Sequence, residues 1–380
     1  MLRPLNLALP GTYRRLVAAS WLSACLILTG CQGDNFGPKV NEAEAYQVLV
    51  DLLNSRLDTF EAAAQVLQTE VMAWEESAAA PPSSAETAWT NAMLAWQTVY
   101  ALGIPPADDF FGNARRIYNH GPKNTDCRVK YAIGHWDLED MDLSKSQYTS
   151  FVGLSSLEYL IFGFQNDECS SRINERFSEL TIEEQDRQKR ALAQALIDLL
   201  LEDLADIRSL LDRSYLGVLG SSQTVSSESN YTEHVVWGLH FSDYIIQRRK
   251  LEDLLFVQDP DCTYNCGPNV ESRVARMSGR WLGLNLKAQQ ELFTGADGVG
   301  MDDHLASIGQ FGLRDRILAA FENTLKRAAT IQDDLLKQLE ADPSKIRALY
   351  GEVLILNQLL NCELNEALGR SPITWHGHED

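Results

Sequence analysis

Beyond its first thirty residues, this 380-residue chain has no apolar run long enough to cross a bilayer, which takes roughly 20 consecutive apolar residues. A working part made of spanning helices is thereby excluded. Strict apolar–polar alternation is also missing over any useful length, so a sheet-based fold is excluded as well. Basic residues are scarce, with 33 Lys and Arg against 53 Asp and Glu and a formal charge of −20. A surface of that sign repels nucleic acid and anionic headgroups, and it does not oppose cations. Three catalytic signatures are missing: His-Glu-x-x-His, the Gly-x-Ser-x-Gly nucleophile elbow and the phosphate-binding P-loop. With them go the simplest routes to a zinc peptidase, a serine hydrolase or a nucleotide hydrolase.

The N-terminus carries its own pattern. Arg3, Arg14 and Arg15 form a basic start with no acidic residue. A short apolar run follows from Leu16 to Leu28 and closes on Leu28-Thr29-Gly30-Cys31. A basic head, a short apolar stretch and small residues before a cut site describe a secretory signal. Leu-Thr-Gly-Cys resembles the bacterial lipobox, whose cysteine is acylated and becomes the new N-terminus. The expectation is a signal peptide over 1–30, lipid on Cys31 and a tether linker over 31–41. The protein would sit on the periplasmic face of a membrane, held by lipid only. Gln32, where an aspartate would retain the protein at the inner membrane, points to the outer membrane. Without the signal the charge moves to about −23, with 30 basic residues against 53 acidic.

An exported chain sits where disulfides persist. Cys25 leaves with the signal and Cys31 takes lipid, so five cysteines remain. Cys262 and Cys266 flank a tight stretch that would let them pair, and Cys127 with Cys169 is the next candidate bridge. One cysteine stays odd, and connectivity cannot be read from spacing alone.

The roughly 350 residues after the signal exceed what one hydrophobic core usually serves, so two subdomains are expected. The pattern is helical nearly throughout. Tyr46, Val48, Leu49, Leu52, Leu53, Leu57 and Phe60 recur at threes and fours, the spacing of one helix face. That helix is expected to run to Trp74, with a second opening at Ser84 and carrying Trp89, Met93, Trp96 and Tyr100. Residues 103–126 read as irregular. Further helices are expected over 146–162, from the Thr181–Glu184 capping box to about Leu211, and over 232–255, 270–293, 313–339 and 343–368. The reading is an all-α protein with no significant sheet, an N-terminal helical bundle over 42–178 and a C-terminal one over 179–380.

The segment richest in chemistry is Gly153-Leu154-Ser155-Ser156-Leu157-Glu158-Tyr159-Leu160-Ile161-Phe162-Gly163. It sets one carboxylate, Glu158, inside an otherwise apolar helix. A lone buried carboxylate is costly, so Glu158 calls for a cation, a metal or a strong donor. Ser155 lies one turn earlier on the same face. A second stretch, Gly238-Leu239-His240-Phe241-Ser242-Asp243-Tyr244-Ile245-Ile246, mirrors the first, either by internal duplication or by coincidence of helical patterning. If the two helices face one pocket, Glu158, His240 and Asp243 would form a three-ligand metal site. Otherwise His240 caps its helix or pairs locally with Asp243.

The Glu158 stretch resembles the signature of the imelysin family, Gly-x-His-x-x-Glu with an aromatic-Leu-Leu-x-Gly tail. Trp89 to Trp96 is similar to the family's early helix, and Arg116-Ile117-Tyr118 to its Arg-Ile region. Glu271-Ser272, Ser278, Asn285 and Leu292-Phe293-Thr294-Gly295 resemble its Glu-Ser…Ser…Asn…Gly segment. The four pieces stand in the family's order from about residue 45 to the end. The resemblance implies two helical bundles with a pocket between them, iron or another metal ion as ligand, and either a metallopeptidase or a binding role in iron uptake. It places Ser155, Glu158, Glu271 and Ser272 in the pocket. Ser155 stands where the family has its histidine, and a neutral hydroxyl is a poor ligand for a transition metal. The expectation is therefore a binding protein for iron or other metal handling rather than an enzyme, with no catalytic residue assigned. The alternatives are a metallopeptidase of the family's type and a docking lipoprotein that offers its acidic surface to a periplasmic or outer-membrane protein.

Overall fold

The computed structural model describes residues 39–75, 78, 80–103, 114–118, 125–135, 143, 151–164, 169–211, 227–255 and 270–371. The expected signal peptide, Cys31, and Cys262 with Cys266 lie outside the described residues. Residues from Gly37 on form one compact unit.

The chain is all-helical, and no strand occurs among the described residues. Helix α1 (Glu42–Met72) buries Tyr46, Leu49, Leu53, Leu57 and Phe60 of the predicted stripe, while Val48 and Leu52 are half-buried at its edge. Helix α2 (Ser83–Tyr100) packs along it. Ser84 does not cap α2 as expected. The chain enters through Pro82, and the Ser84 hydroxyl turns back to Glu70 on α1. Helices α3 (Thr125–His135), α4 (Leu154–Phe162) and α5 (Ser171–Glu179) follow, and Cys127 on α3 is bonded to Cys169 just before α5. Helix α6 (Ile182–Leu211) opens on the reciprocal bonds of a capping box. The Thr181 hydroxyl accepts from the Glu184 N–H, and the Glu184 carboxylate accepts from the Thr181 N–H.

Helix α7 starts at Ser227, ahead of the expected start at 232, and runs to Phe241. It continues as a π-helix over Ser242–Glu252 and closes with an α turn at Asp253–Leu255. Helices α8 (Ser278–Thr294), α9 (Met301–Ser307), α10 (Phe311–Ala328), α11 (Leu335–Ala341) and α12 (Pro343–Gln358) complete the fold. The last passes through a π segment, Leu359–Leu364, into Asn365–Ala367. The expected helix over 313–339 breaks after Ala328. Asp342 then caps α12, with Pro343 in its first turn, where a missing N–H costs nothing.

The arrangement puts α2 at the centre. It contacts α1, α4 and α8, while α4 also packs on α6 and the π segment of α7 packs on α8 and α12. Helices on both sides of residues 178–179 therefore touch one another. Trp89 and Trp96 are fully buried on α2, as core residues.

Two of the expected helices start later than predicted, for reasons that define the site. Helix α4 begins at Leu154 because Gly153 holds φ +74, and a Cβ there would run into the carbonyl oxygens of Arg116 and Ile117. Only glycine tolerates that backbone and that approach together. Residues 270–277 are not helical, and Ser272 and Arg276 take φ of 51 and 58. Their segment curls so that the Arg276 N–H reaches the Ser272 carbonyl oxygen at 2.8 Å.

Candidate functional site

The curl over 270–277 faces α4, and Glu158 explains it. Glu158 is 3 % exposed. Its Oε1 accepts from the backbone N–H of Val274 at 3.0 Å and of Ala275 at 2.9 Å, and the Ser272 hydroxyl also donates to the carboxylate. Helical backbone would spend those two N–H groups on its own ladder, so the carboxylate is served by a segment held out of helix. Left-handed backbone at a non-glycine residue costs of order 1–3 kcal/mol. A charge-assisted hydrogen bond returns about 1.5–3 kcal/mol.

These donors do not cancel the cost of burial. Desolvation raises the Glu158 pKa to about 7, against the lowering by the Ala275 and Val274 N–H groups and Ser272; the nearby Glu271 charge pushes it up further. Ser155, one turn earlier and 2 % exposed, has a hydroxyl with no hydrogen-bond partner. Buried polar atoms without partners are rare and call for a reason. Ser156 is satisfied internally by the Phe151 carbonyl.

A second carboxylate lies beside the first. Glu271 forms an ion pair with Lys250 at 2.8 Å, with the two side chains 6 % and 1 % exposed. The Tyr118 hydroxyl donates to Glu271, and Tyr118 feels the charges of both Glu271 and Glu158. Burial, reinforced by those two carboxylates, holds the Tyr118 hydroxyl protonated far above its usual range. Lys250 projects from the π segment of α7 and donates to Gln97 Oε1 on α2 at 3.0 Å and to Asn285 Oδ1 on α8 at 2.6 Å. Burial lowers its pKa, opposed by Glu271. Asn285 Nδ2 donates in turn to the Gln97 carbonyl at 2.8 Å and to its Oε1 at 2.9 Å. Aromatic rings wall the cluster. Trp281 lies 6.0 Å from Tyr118 and 6.2 Å from Trp89, whose Nε1 donates to the Leu154 carbonyl at 2.9 Å.

The four residues expected in the pocket, Ser155, Glu158, Glu271 and Ser272, thus come together. The expected three-ligand set does not. Among the described residues, Glu158, His240 and Asp243 do not bring ligand atoms within 4.8 Å of one another. His240 Nδ1 lies 3.2 Å from Asn361 Oδ1 on the π segment of α12, and Asp243 lies 3.7 Å from Arg248 on its own segment. The mirrored stretches differ in local structure, and this separates them. Gly153 is a positive-φ helix entry, whereas Gly238 sits inside α7, packed on the Leu102 carbonyl and the Leu292 side chain. Among the described residues, one group of three such side chains lies within that distance, Asp126 with Cys127 and Cys169, and its two cysteines are taken up by the disulfide.

Sequence reasoning missed Lys250, Tyr118 and Gln97. Lys250 has a signal, since Ile246, Lys250 and Leu254 follow one another at intervals of four and all three are buried. A lysine on an apolar stripe wants a buried anion. Behind the site, Arg116 pairs with Asp203 of α6 at 2.9 Å. Burial raises the Asp203 pKa to about 7 although Arg116 lowers it.

A family model described as imelysin matches residues 45–361. Among solved structures, an imelysin-like protein from Psychrobacter arcticum 273-4 is similar, with TM-score 0.66 and 16% identity over 88% of this chain and 98% of its own. A candidate iron-regulated protein A precursor from Parabacteroides distasonis ATCC 8503 aligns with TM-score 0.55 and 12% identity, over 85% of this chain and 95% of its own. No curated protein matches. At these identities the structural likeness speaks for the fold alone.

Proposed function

This chain belongs to the imelysin family, and from that premise we propose that it is a lipid-anchored periplasmic binding protein whose buried two-carboxylate cluster takes a hard metal cation. The single observation that carries the reading is Glu158, a carboxylate 3 % exposed with one oxygen preset by two backbone N–H groups. Beside it stand a second carboxylate, Glu271, and a buried hydroxyl, Ser155, without a partner.

The donor set tests which ion fits. Glu158, Glu271, Ser155, Ser272 and Tyr118 offer oxygen only, and among the described residues no imidazole or thiolate forms a metal-ligand group with them. Oxygen sets suit hard cations such as calcium, magnesium, manganese or ferric iron, whereas zinc and cuprous sites favour nitrogen and sulfur. The solved relative described as iron-regulated makes iron the first of these to try. Glu158 and Glu271 would hold the ion, with the hydroxyls completing its shell. The ion would supply the positive charge that Glu158 lacks. The expected role is binding without chemistry, since hydrolysis needs in addition an open coordination position and a base.

Titration of the chelator-treated protein with Fe²⁺, Fe³⁺ and Zn²⁺ tests the proposal. Iron is expected to bind more tightly than zinc, and Glu158→Ala to weaken iron at least tenfold. Asp243→Ala serves as a control that leaves affinity unchanged. Equal iron binding by wild type and Glu158→Ala sinks the reading. For the anchor, Cys31→Ala is expected to move the protein from the membrane fraction to the soluble one.

A further inference from the structure

Lys250 is the one cation inside the described cluster, and its surroundings are built for it. An ammonium has three N–H donors and no acceptor. Lys250 directs them to Glu271 Oε2, Gln97 Oε1 and Asn285 Oδ1, at 2.8, 3.0 and 2.6 Å. The three oxygens come from the 270–277 curl, α2 and α8, so the cage closes only in the folded protein. Gln97 orients its amide oxygen to Lys250 and Asn285, and its Nε2 is left buried without a partner. An amide that leaves a donor unsatisfied to present its oxygen marks a cage that favours positive charge.

The same ammonium sits on one of the two carboxylates that an incoming metal cation would use. We propose that Lys250 is a tethered competitor at this site: it occupies Glu271 and holds the affinity for an external hard cation well below what Glu158 and Glu271 together would give. This deepens the binding reading above and rests on it. The orphan hydroxyl of Ser155, on the Glu158 side, marks where the external ion would make its first new contact. A carrier must let go of its cargo, and a fixed positive charge beside the ligand keeps binding reversible. Because all three donors of Lys250 are engaged and its side chain is 1 % exposed, the competition does not require it to swing out to solvent. The repulsion acts at fixed distance through a low-dielectric interior, where screening by salt is weak.

Manganese binding, read by the loss of the free Mn²⁺ spin-resonance signal, tests the proposal on the full folded chain. Lys250→Met removes the charge at nearly constant volume. Asn285→Asp keeps the lysine and neutralises it with an isosteric carboxylate. Both variants are expected to bind Mn²⁺ roughly ten- to hundredfold more tightly than wild type, with circular dichroism confirming the fold. If wild type binds and a folded variant binds no more tightly, Lys250 is not a competitor and only the reading above survives. If wild type fails to bind while either variant binds, the competitor stands and the wild-type binding function falls. Failure of all three to bind, or of both variants to fold, overturns the inference; the former also removes the function on which it rests.

Discussion

Replacing Glu158 by glutamine should stabilise the protein above neutral pH, although it removes a buried, hydrogen-bonded side chain. The carboxylate gains two backbone N–H bonds and a hydroxyl, yet its pKa rises from 4.5 to about 7 because burial outweighs them. A raised carboxylate pKa means that the folded state holds a proton that the unfolded state releases. Stability is then full below about pH 4.5, falls as pH climbs towards 7, and stays at the lower level above. At about 1.4 kcal/mol per pH unit, the loss at pH 8 is about 3 kcal/mol. Glutamine keeps the acceptor oxygen for Val274 and Ala275 and offers its amide N–H groups to the Ser272 hydroxyl, without the charge. Urea unfolding of chelator-treated protein at pH 4.5 and pH 8 should therefore show the two proteins within about 0.5 kcal/mol at the lower pH. At the higher pH the variant should be ahead by about 2–3 kcal/mol. Asp203 titrates over a similar range, but it is common to both proteins and cancels. A variant destabilised equally at both pH values would refute the reasoning, because the N–H groups would then outweigh the cost of burying the charge.

Three other outcomes follow from the geometry. Gly153→Ala should lower stability by about 3 kcal/mol or more in urea unfolding, since its φ of +74 and the nearby Arg116 and Ile117 carbonyls leave a Cβ no room; a loss below about 1 kcal/mol would contradict this. Removing the Cys127–Cys169 bridge, which spans 42 positions, should cost about 4 kcal/mol on the loop-entropy argument, measured by unfolding with and without reductant. Asp203→Ala should cost about 3 kcal/mol by leaving Arg116 of the buried pair unanswered, whereas Asp203→Asn, which keeps an acceptor, should cost less than half of that by the same measurement.

The helical class was legible because it rests on local periodicity. Tyr46, Leu49, Leu53, Leu57 and Phe60 line one face of α1 in sequence and in space. The Thr181–Glu184 box is equally local, and both of its bonds form. Glu158 was legible for a different reason: a carboxylate alone on an apolar helix has to be answered whatever the fold. What could not be read was the answer. Its donors, Val274 and Ala275, lie 116 and 117 positions away and are backbone groups, which carry no residue signature. The apolar spacing of Val270, Val274 and Met277 is compatible with a helix, so periodicity alone extends α8 backwards through them. Tertiary demand for two free N–H groups overrides that local preference.

The mirrored stretch shows the same limit from the other side. Gly-Leu-x-x-x-acid-Tyr recurs at 153 and 238, but pairing the two as ligand helices assumes that both acids face alike. The structure does not meet that assumption: a π-helix runs over Ser242–Glu252, and its i→i+5 bonding rotates each residue after Asp243 less than an α-helix does. Asp243 stays beside Arg248, and the residue delivered to the cluster is Lys250. The segment expected to supply a third anionic ligand thus supplies a resident cation. The two possibilities make opposite demands on an incoming metal ion. With Asp243 as a ligand, neutralising it would weaken Mn²⁺ binding as much as neutralising Glu158 does. With Lys250 in its place, Asp243→Asn leaves the affinity unchanged, while loss of the lysine charge strengthens it.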